Sequence, residues 1–202
     1  MKNYKVNILV KIAVLAAISV VLMMFQIALP IFPSFLQIDL SDLPALFGGF
    51  ALGPIAGVIV CFLKNLLNVV LTGSMTGGIG ELSNFVIGAS MVVASAVTYN
   101  RMRSKKGAVI GLALGVLAMT VVGALSNYFV MLPLYAKIMM PLEEIIKMGN
   151  VINPAITDLK TFVLWSIVPF NLLKGGIVAI VTAMFYKKIS PILKIEKSKQ
   201  VA

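Results

Sequence analysis

The sequence predicts an all-α integral membrane protein, a single membrane domain over residues 1–202 with six transmembrane helices and both termini cytoplasmic. Three observations carry that expectation. Hydrophobic residues make up 60% of the chain and charged residues 12%, for a mean hydropathy of +1.03. A soluble domain lies nearer half apolar and about a quarter charged, and has too little interior for this excess. The apolar residues come in continuous runs rather than in alternation, which excludes a β-barrel. The basic residues stand at the ends of those runs, where they orient membrane proteins.

A bilayer core of about 30 Å takes roughly 20 apolar residues per helix. Runs of that order predict helices over 8–29, 54–71, 82–99, 108–136 and 160–187, with a shorter run over 43–52. The first run is too long for the apolar part of a cleaved signal peptide, and further spans follow it. Pro30 and Pro33 end it, and Ile38-Asp39-Leu40 fits a short extended piece. Ser41 and Asp42 then offer N-caps to a helix with Pro44 early in it. Gly53–Pro54 turns the chain into the third helix.

Lys2, Lys5 and Lys11 open the first helix, Arg101, Arg103, Lys105 and Lys106 follow the fourth, and Lys187, Lys188, Lys194, Lys197 and Lys199 follow the last. Residues 26–42 and 72–80 contain no Lys or Arg. The positive-inside rule therefore places the amino terminus, the 101–106 connection and the tail in the cytoplasm. An even number of crossings must separate the first two, so 43–52 also crosses. A thinned bilayer or neighbouring helices would cover its ends. Pro141–Met148 fits one or two turns of amphipathic helix at the outer interface. The two halves show no repeat, which gives no support to an inverted-repeat carrier.

Several function classes lose their basis. The net charge of +10 could suggest nucleic acid, but its placement at helix ends serves orientation in the lipid bilayer instead. The single Cys61 lies inside a span, so no disulfide framework is expected. There is no His, the commonest metal ligand and acid–base residue. With no carboxylate pair deep in a span either, no catalytic residue and no metal site is expected, which argues against a membrane enzyme. The Gly-x-x-x-x-Gly-Lys-Ser/Thr phosphate loop is absent, so energy must come from partners or a gradient.

Polar groups inside spans point to function. The third helix carries Lys64, Asn65 and Asn68, the fourth begins Glu81-Leu-Ser-Asn84, the fifth carries Ser126 and Asn127, and the sixth Asn171 and Lys174. Lys64 and Asn68 share one face, as do Asn171 and Lys174. With the termini inside, all four clusters fall toward the outer side, beneath the 26–42 loop. Singly, such residues also serve as interhelical glue or snorkel to the interface. Lys174 lies deeper and needs a partner, and four clusters at one depth favour a binding site. The amides of Asn127 and Asn171 match an imide or lactam edge. Lys64 and Lys174 would donate to carbonyls or hydroxyls. Glu81 is the only acid expected nearby, and no Arg lies on the outer side to clamp a phosphate. Phe47, Phe50, Phe85 and Met91 are available to cover a flat ring. A neutral, polyfunctional, partly aromatic small molecule fits better than an ion.

The stretches Asp39-Leu-Ser-Asp-Leu-Pro-Ala45, Leu52-Gly-Pro-Ile-Ala-Gly57 and Lys64-Asn-Leu-Leu-Asn68 resemble the riboflavin-binding S components of energy-coupling factor transporters. Gly80-Glu-Leu-Ser-Asn84, Ser126-Asn-Tyr128 and Pro169-Phe-Asn-Leu-Leu-Lys174 extend the resemblance over nearly the whole chain. It implies a six-helix protein that binds riboflavin, a transported ligand rather than a cofactor, from outside under its first outer loop. It implies docking onto a membrane coupling protein (EcfT-like) driven by two cytoplasmic ATPases. By position, Asn127, Asn171 and Lys174 would bind the ligand, joined by Lys64, Asn68, Glu81 and Asn84. Ala13 and Ala17, four apart on the first helix, would form the smooth strip that meets the coupling protein. An S component for another vitamin (folate, thiamin or similar) and a self-sufficient facilitator remain as alternatives.

Overall fold

The computed structural model describes residues 2–74 and 76–193, so the tail lysines Lys194, Lys197 and Lys199 lie outside the described residues. Helix α1 covers Lys2–Met23. A loop follows, in which Ile27–Ala28 (β1) and Gln37–Ile38 (β2) pair antiparallel. Then come α2 (Asp42–Leu52), α3 (Pro54–Thr72) and α4 (Ile79–Met102). Helix α5 is a continuous run, Lys105–Ile138, broken only by a π turn at Asn127–Met131. A peripheral helix α6 spans Leu142–Ile152, three turns rather than the one or two expected. Helix α7 opens at Leu159–Phe162, passes through a second π turn at Val163–Ile167 and continues over Val168–Leu193.

Five of these helices are long and apolar enough to cross a membrane, and Asp42–Leu52 is a shorter apolar helix. That short helix is the centre of the bundle. Every residue from Ser41 to Phe50 is buried, whereas α1, α3, α5 and α7 expose large aliphatic and aromatic side chains on their outer faces. The pattern is that of a bilayer solvent: lipid-facing residues are as apolar as the core, so burial no longer tracks hydrophobicity. At eleven residues, α2 would rise about 16 Å, half a bilayer core. Helices α1, α3, α4 and α7 pack around it, so it is covered by protein rather than by lipid.

Glycine sets how closely these helices approach. A Cβ on Gly57 would stand 2.5 Å from Val92 Cγ1, 2.7 Å from the Ala45 carbonyl and 3.0 Å from the Gly49 Cα. One residue thus seats α3 against both α2 and α4. On α5, Gly111 and Gly115 meet the Ser95 and Met91 carbonyls of α4 in the same way. Gly53, at φ 110°, makes the reversal between α2 and α3 in a backbone region that L side chains rarely adopt.

At the end of the bundle away from the 26–42 loop, Phe50, Tyr99 and Tyr186 form a triangle with centroids 4.6–6.2 Å apart. Phe50 lies eight residues along α2 from Asp42, about 12 Å. It seals the far end of the core and does not line the polar cluster described below. Phe85 packs edge-on against Phe62.

Gly57→Ala is expected to lower the melting temperature of the detergent-solubilised protein, an overpacking penalty of about 1–3 kcal/mol. Gly176→Ala, where an added Cβ meets nothing within 4 Å, should leave it unchanged or slightly raised. Equal melting of the two variants would show that the α2–α3–α4 crossing is not tightly packed.

Candidate ligand site

The two lysines that the sequence places inside spans are both buried and both paired with an acid. Lys64 is fully buried on α3; its Nζ donates to Asp42 Oδ1 at 2.6 Å and to Ser41 Oγ at 2.7 Å. Lys174 on α7 is 5% exposed, and its Nζ donates to Asp39 Oδ2 at 2.8 Å. Asp39 Oδ1 accepts from the Ser41 backbone N–H at 2.8 Å. Lys174, Asp39, Ser41, Asp42 and Lys64 therefore form one connected chain that ties α7 and α3 to the start of α2.

This corrects two sequence expectations. Glu81 is not the only acid near the site, because Asp39 and Asp42 balance the two lysines. Ser41 does not cap α2 with its side chain; its hydroxyl accepts from Lys64 instead. Two acids stand three residues from one another in an otherwise largely apolar segment, and two lysines stand inside spans. A buried charge without a counter-ion is strongly unfavourable, so their equal number points to pairing, though not to which acid meets which lysine. Burial by itself would raise the Asp39 carboxyl. The ammonium groups of Lys174 and Lys64, with the hydrogen bonds from Lys174 and Ser41, hold it below the ordinary carboxylate range.

Asn127 and Asn171 come together around Gly123. Asn127 Nδ2 donates to the Gly123 carbonyl at 2.8 Å, and a Cβ on Gly123 would lie 2.7 Å from Asn171 Nδ2. Asn171 Nδ2 donates in turn to the Ile167 carbonyl at 2.8 Å. Both amides adjoin π turns, Asn127 opening the one on α5 and Asn171 following the one on α7. A π turn adds a residue to the helical repeat and turns the following face, a device found at functional sites. Each NH₂ uses one hydrogen on its own helix. The second hydrogen and the carbonyl oxygen of each amide remain for another partner.

The remaining sequence-predicted residues fall on the flanks. Glu81 accepts from Ser74 Oγ at 2.8 Å and Thr76 Oγ1 at 3.0 Å, ordering the turn before α4, with Tyr135 beside Thr76. Asn68 and Asn84 are half-buried, and their side chains make no hydrogen bond among the described residues. Ala13 and Ala17 are exposed on the outer face of α1, away from this cluster.

The loop between α1 and α2 is pinned over the same region. Phe32 meets Phe170 edge-on at 5.4 Å, one residue from Asn171. Phe35 stacks on Phe162 at 6.2 Å and approaches Tyr135 at 6.4 Å. With Asp39 on Lys174, the loop is held by three aromatic contacts and one ion pair, all on α7 or the end of α5 that carries Tyr135.

Fold and cluster together define an all-helical membrane protein built around an enclosed, charge-balanced polar site. The chain belongs to the family of ECF transporter substrate-specific components, whose sequence model matches residues 7–186. It is 33% identical over 200 residues to the riboflavin transporter FmnP of Bacillus subtilis strain 168, covering 98% of this chain and 99% of that one. It is 36% identical over 186 residues to the riboflavin transporter RibU of Staphylococcus aureus strain TCH60, covering 92% of each. A solved S component of a bacterial ECF transporter superposes with a TM-score of 0.73 at 34% identity, over 96% of this chain and 100% of that one.

Lys64→Met, which strands the buried Asp42 carboxylate, is expected to destabilise the protein by about 3–5 kcal/mol. The double replacement Lys64→Met/Asp42→Leu should recover most of that loss, as read from melting in detergent. A single variant as stable as the parent would show that the pair carries no net coupling.

Proposed function

We propose that this chain is the substrate-capture subunit of an energy-coupling factor importer, binding riboflavin from outside and releasing it inside without chemical change. The observation that carries this reading is the pair of buried amides, Asn127 and Asn171, set beside two internally neutralised ion pairs. Two lysines against two aspartates leave the cluster without net charge, which suits a neutral ligand. The free edges of the two amides offer donors and acceptors in alternation, complementary to the imide edge of a flavin ring. Lys174 lies one turn from Asn171 and supplies a further donor. Asn68 and Asn84 hold unused amides at the rim for ligand hydroxyls. Lys64, engaged with Ser41 and Asp42, positions α2 under the ligand, and Glu81 orders the neighbouring turn. Being at least 30% identical to the two riboflavin transporters above supports the choice of vitamin.

The orientation follows from charge. Six crossings, with α2 as the short one, put both termini and the Arg101–Lys106 turn in the cytoplasm. The pinned loop and the amides then face outward. The partners are a membrane coupling protein and two cytoplasmic ATPases, since the chain has no phosphate-binding loop of its own. Ala13 and Ala17 present the strip of α1 on which the coupling protein packs, small side chains permitting close helix approach.

Absorbance of the detergent-purified protein between about 350 and 500 nm is expected to reveal bound riboflavin. Asn171→Ala or Lys174→Ala should abolish the bound chromophore and the quenching of added riboflavin fluorescence, with expression and insertion retained. Parent-like affinity in both variants would make the cluster structural. A colourless parent that also fails to quench riboflavin would reject this vitamin, and folate and thiamin would be tested in its place.

Ala13→Trp should leave riboflavin binding intact and block uptake in cells that supply the coupling protein and ATPases. Normal uptake by that variant would remove the docking assignment on α1.

A further inference from the structure

The seven acids of the chain are distributed very unevenly. Asp39, Asp42, Glu81, Glu143, Glu144 and Asp158 all belong to the end of the bundle that carries the α1–α2 loop, leaving only Glu196 in the tail. At the opposite end, Arg101, Arg103, Lys105 and Lys106 are all exposed, and no carboxylate pairs with them among the described residues. Lys105 opens α5 and Lys187 lies near the end of α7, and these two helices pack side by side. Both side chains are exposed at the same end of that seam, like charge near like. Basic side chains in the first turn of α5 also oppose its helix dipole. Positive charge is thus concentrated by the fold at one point, with no carboxylate against it among the described residues.

What lies one turn deeper identifies the counter-charge. Val109 and Ile110 follow Lys105 and Lys106 by four residues on α5, and Met184 precedes Lys187 by three on α7; with Phe185 they are all large, apolar and exposed. In a membrane protein such residues face acyl chains, so the cationic patch directly above them stands at headgroup level. We propose that this patch binds the headgroup of an anionic phospholipid, its phosphate seated between Lys105 and Lys187, with Arg101, Arg103 and Lys106 around it and its chains along Val109, Ile110, Met184 and Phe185. The inference rests on the family's membrane placement and is independent of which vitamin is carried.

Native mass spectrometry of the full chain in detergent, titrated with dioleoylphosphatidylglycerol or dioleoylphosphatidylcholine, tests it. The anionic lipid should be retained preferentially, and Lys105→Gln/Lys187→Gln should reduce that preference by about thirtyfold, two basic contacts' worth. Lys137→Gln/Lys147→Gln, at the other end of the bundle, should not change it. Equal retention of the two lipids by the parent, or an undiminished preference in the Lys105/Lys187 variant, overturns the proposal. Displacement of the lipid by millimolar inorganic phosphate would make the patch a free-anion site and overturns the lipid assignment. Should the double variant fail to insert, the parent alone decides. Its preference must collapse between about 0.05 and 0.5 M salt, and a salt-independent preference rejects headgroup recognition.

Discussion

The interaction on which the rest of the structure depends is the Lys64–Asp42 ion pair. Both side chains are wholly removed from solvent, and they bond at 2.6 Å. Such a pair gains little over an apolar replacement, but each partner enforces the other's position, because a lone charge in that place is far worse. The constraint is therefore geometric. Asp42 is the first residue of α2, so the pair fixes where the short helix begins relative to α3. Gly88 on α4 leaves room for the carboxylate, since a Cβ there would stand 2.7 Å from Asp42 Oδ1. A helix too short to hold itself across a bilayer is thus located by charge at one end and by the Gly57 crossing along its length.

From that fixed point the loop between α1 and α2 follows. Asp39 precedes the pair by three residues, and its carboxylate receives both the Ser41 N–H and Lys174. The loop is consequently attached to α7 one turn from Asn171, while Phe32 and Phe35 close on Phe170 and Phe162 of the same helix. Anything that separates α7 from the loop must break an ion pair and two aromatic contacts together. The site and its cover are one mechanical unit, which suits a protein whose proposed task is to enclose a solute and later release it.

How much of this was legible in the sequence differs by element. The long helices were readable because hydrocarbon thickness imposes a length and removes charge, two constraints that act on composition directly. Lys64, Asn127, Asn171 and Lys174 were readable as special for the same reason: polar groups inside spans are unfavourable unless used. The roles of Asp39 and Asp42 were harder to see, because acids at a loop–helix junction look like caps and solvent-facing residues. Only the three-dimensional return of the loop to α7 reveals Asp39 as a counter-ion 135 residues away. The π turns were not legible either. Pro133 and Pro169 each stand two residues beyond a π turn, but a proline inside a span reads equally as a plain kink, and the shift from four to five residues in the hydrogen-bond repeat alters the facing of α5 and α7 without altering their hydropathy.

Those two π turns bear on why the amides are where they are. In an uninterrupted helix, Asn171 would keep the face set by the segment before Val163, and the residues after Met131 would keep the face that carries Gly111, Gly115, Gly123 and Asn127. Inserting one residue into the repeat turns the following face by about 100°, so packing on one side of the turn and presentation of a polar edge on the other no longer compete for the same stripe. Gly123 completes the arrangement by letting Asn171 approach α5 to a distance any side chain would forbid. Close packing and an available hydrogen-bonding edge, ordinarily in conflict inside a membrane, are thereby separated along the same two helices.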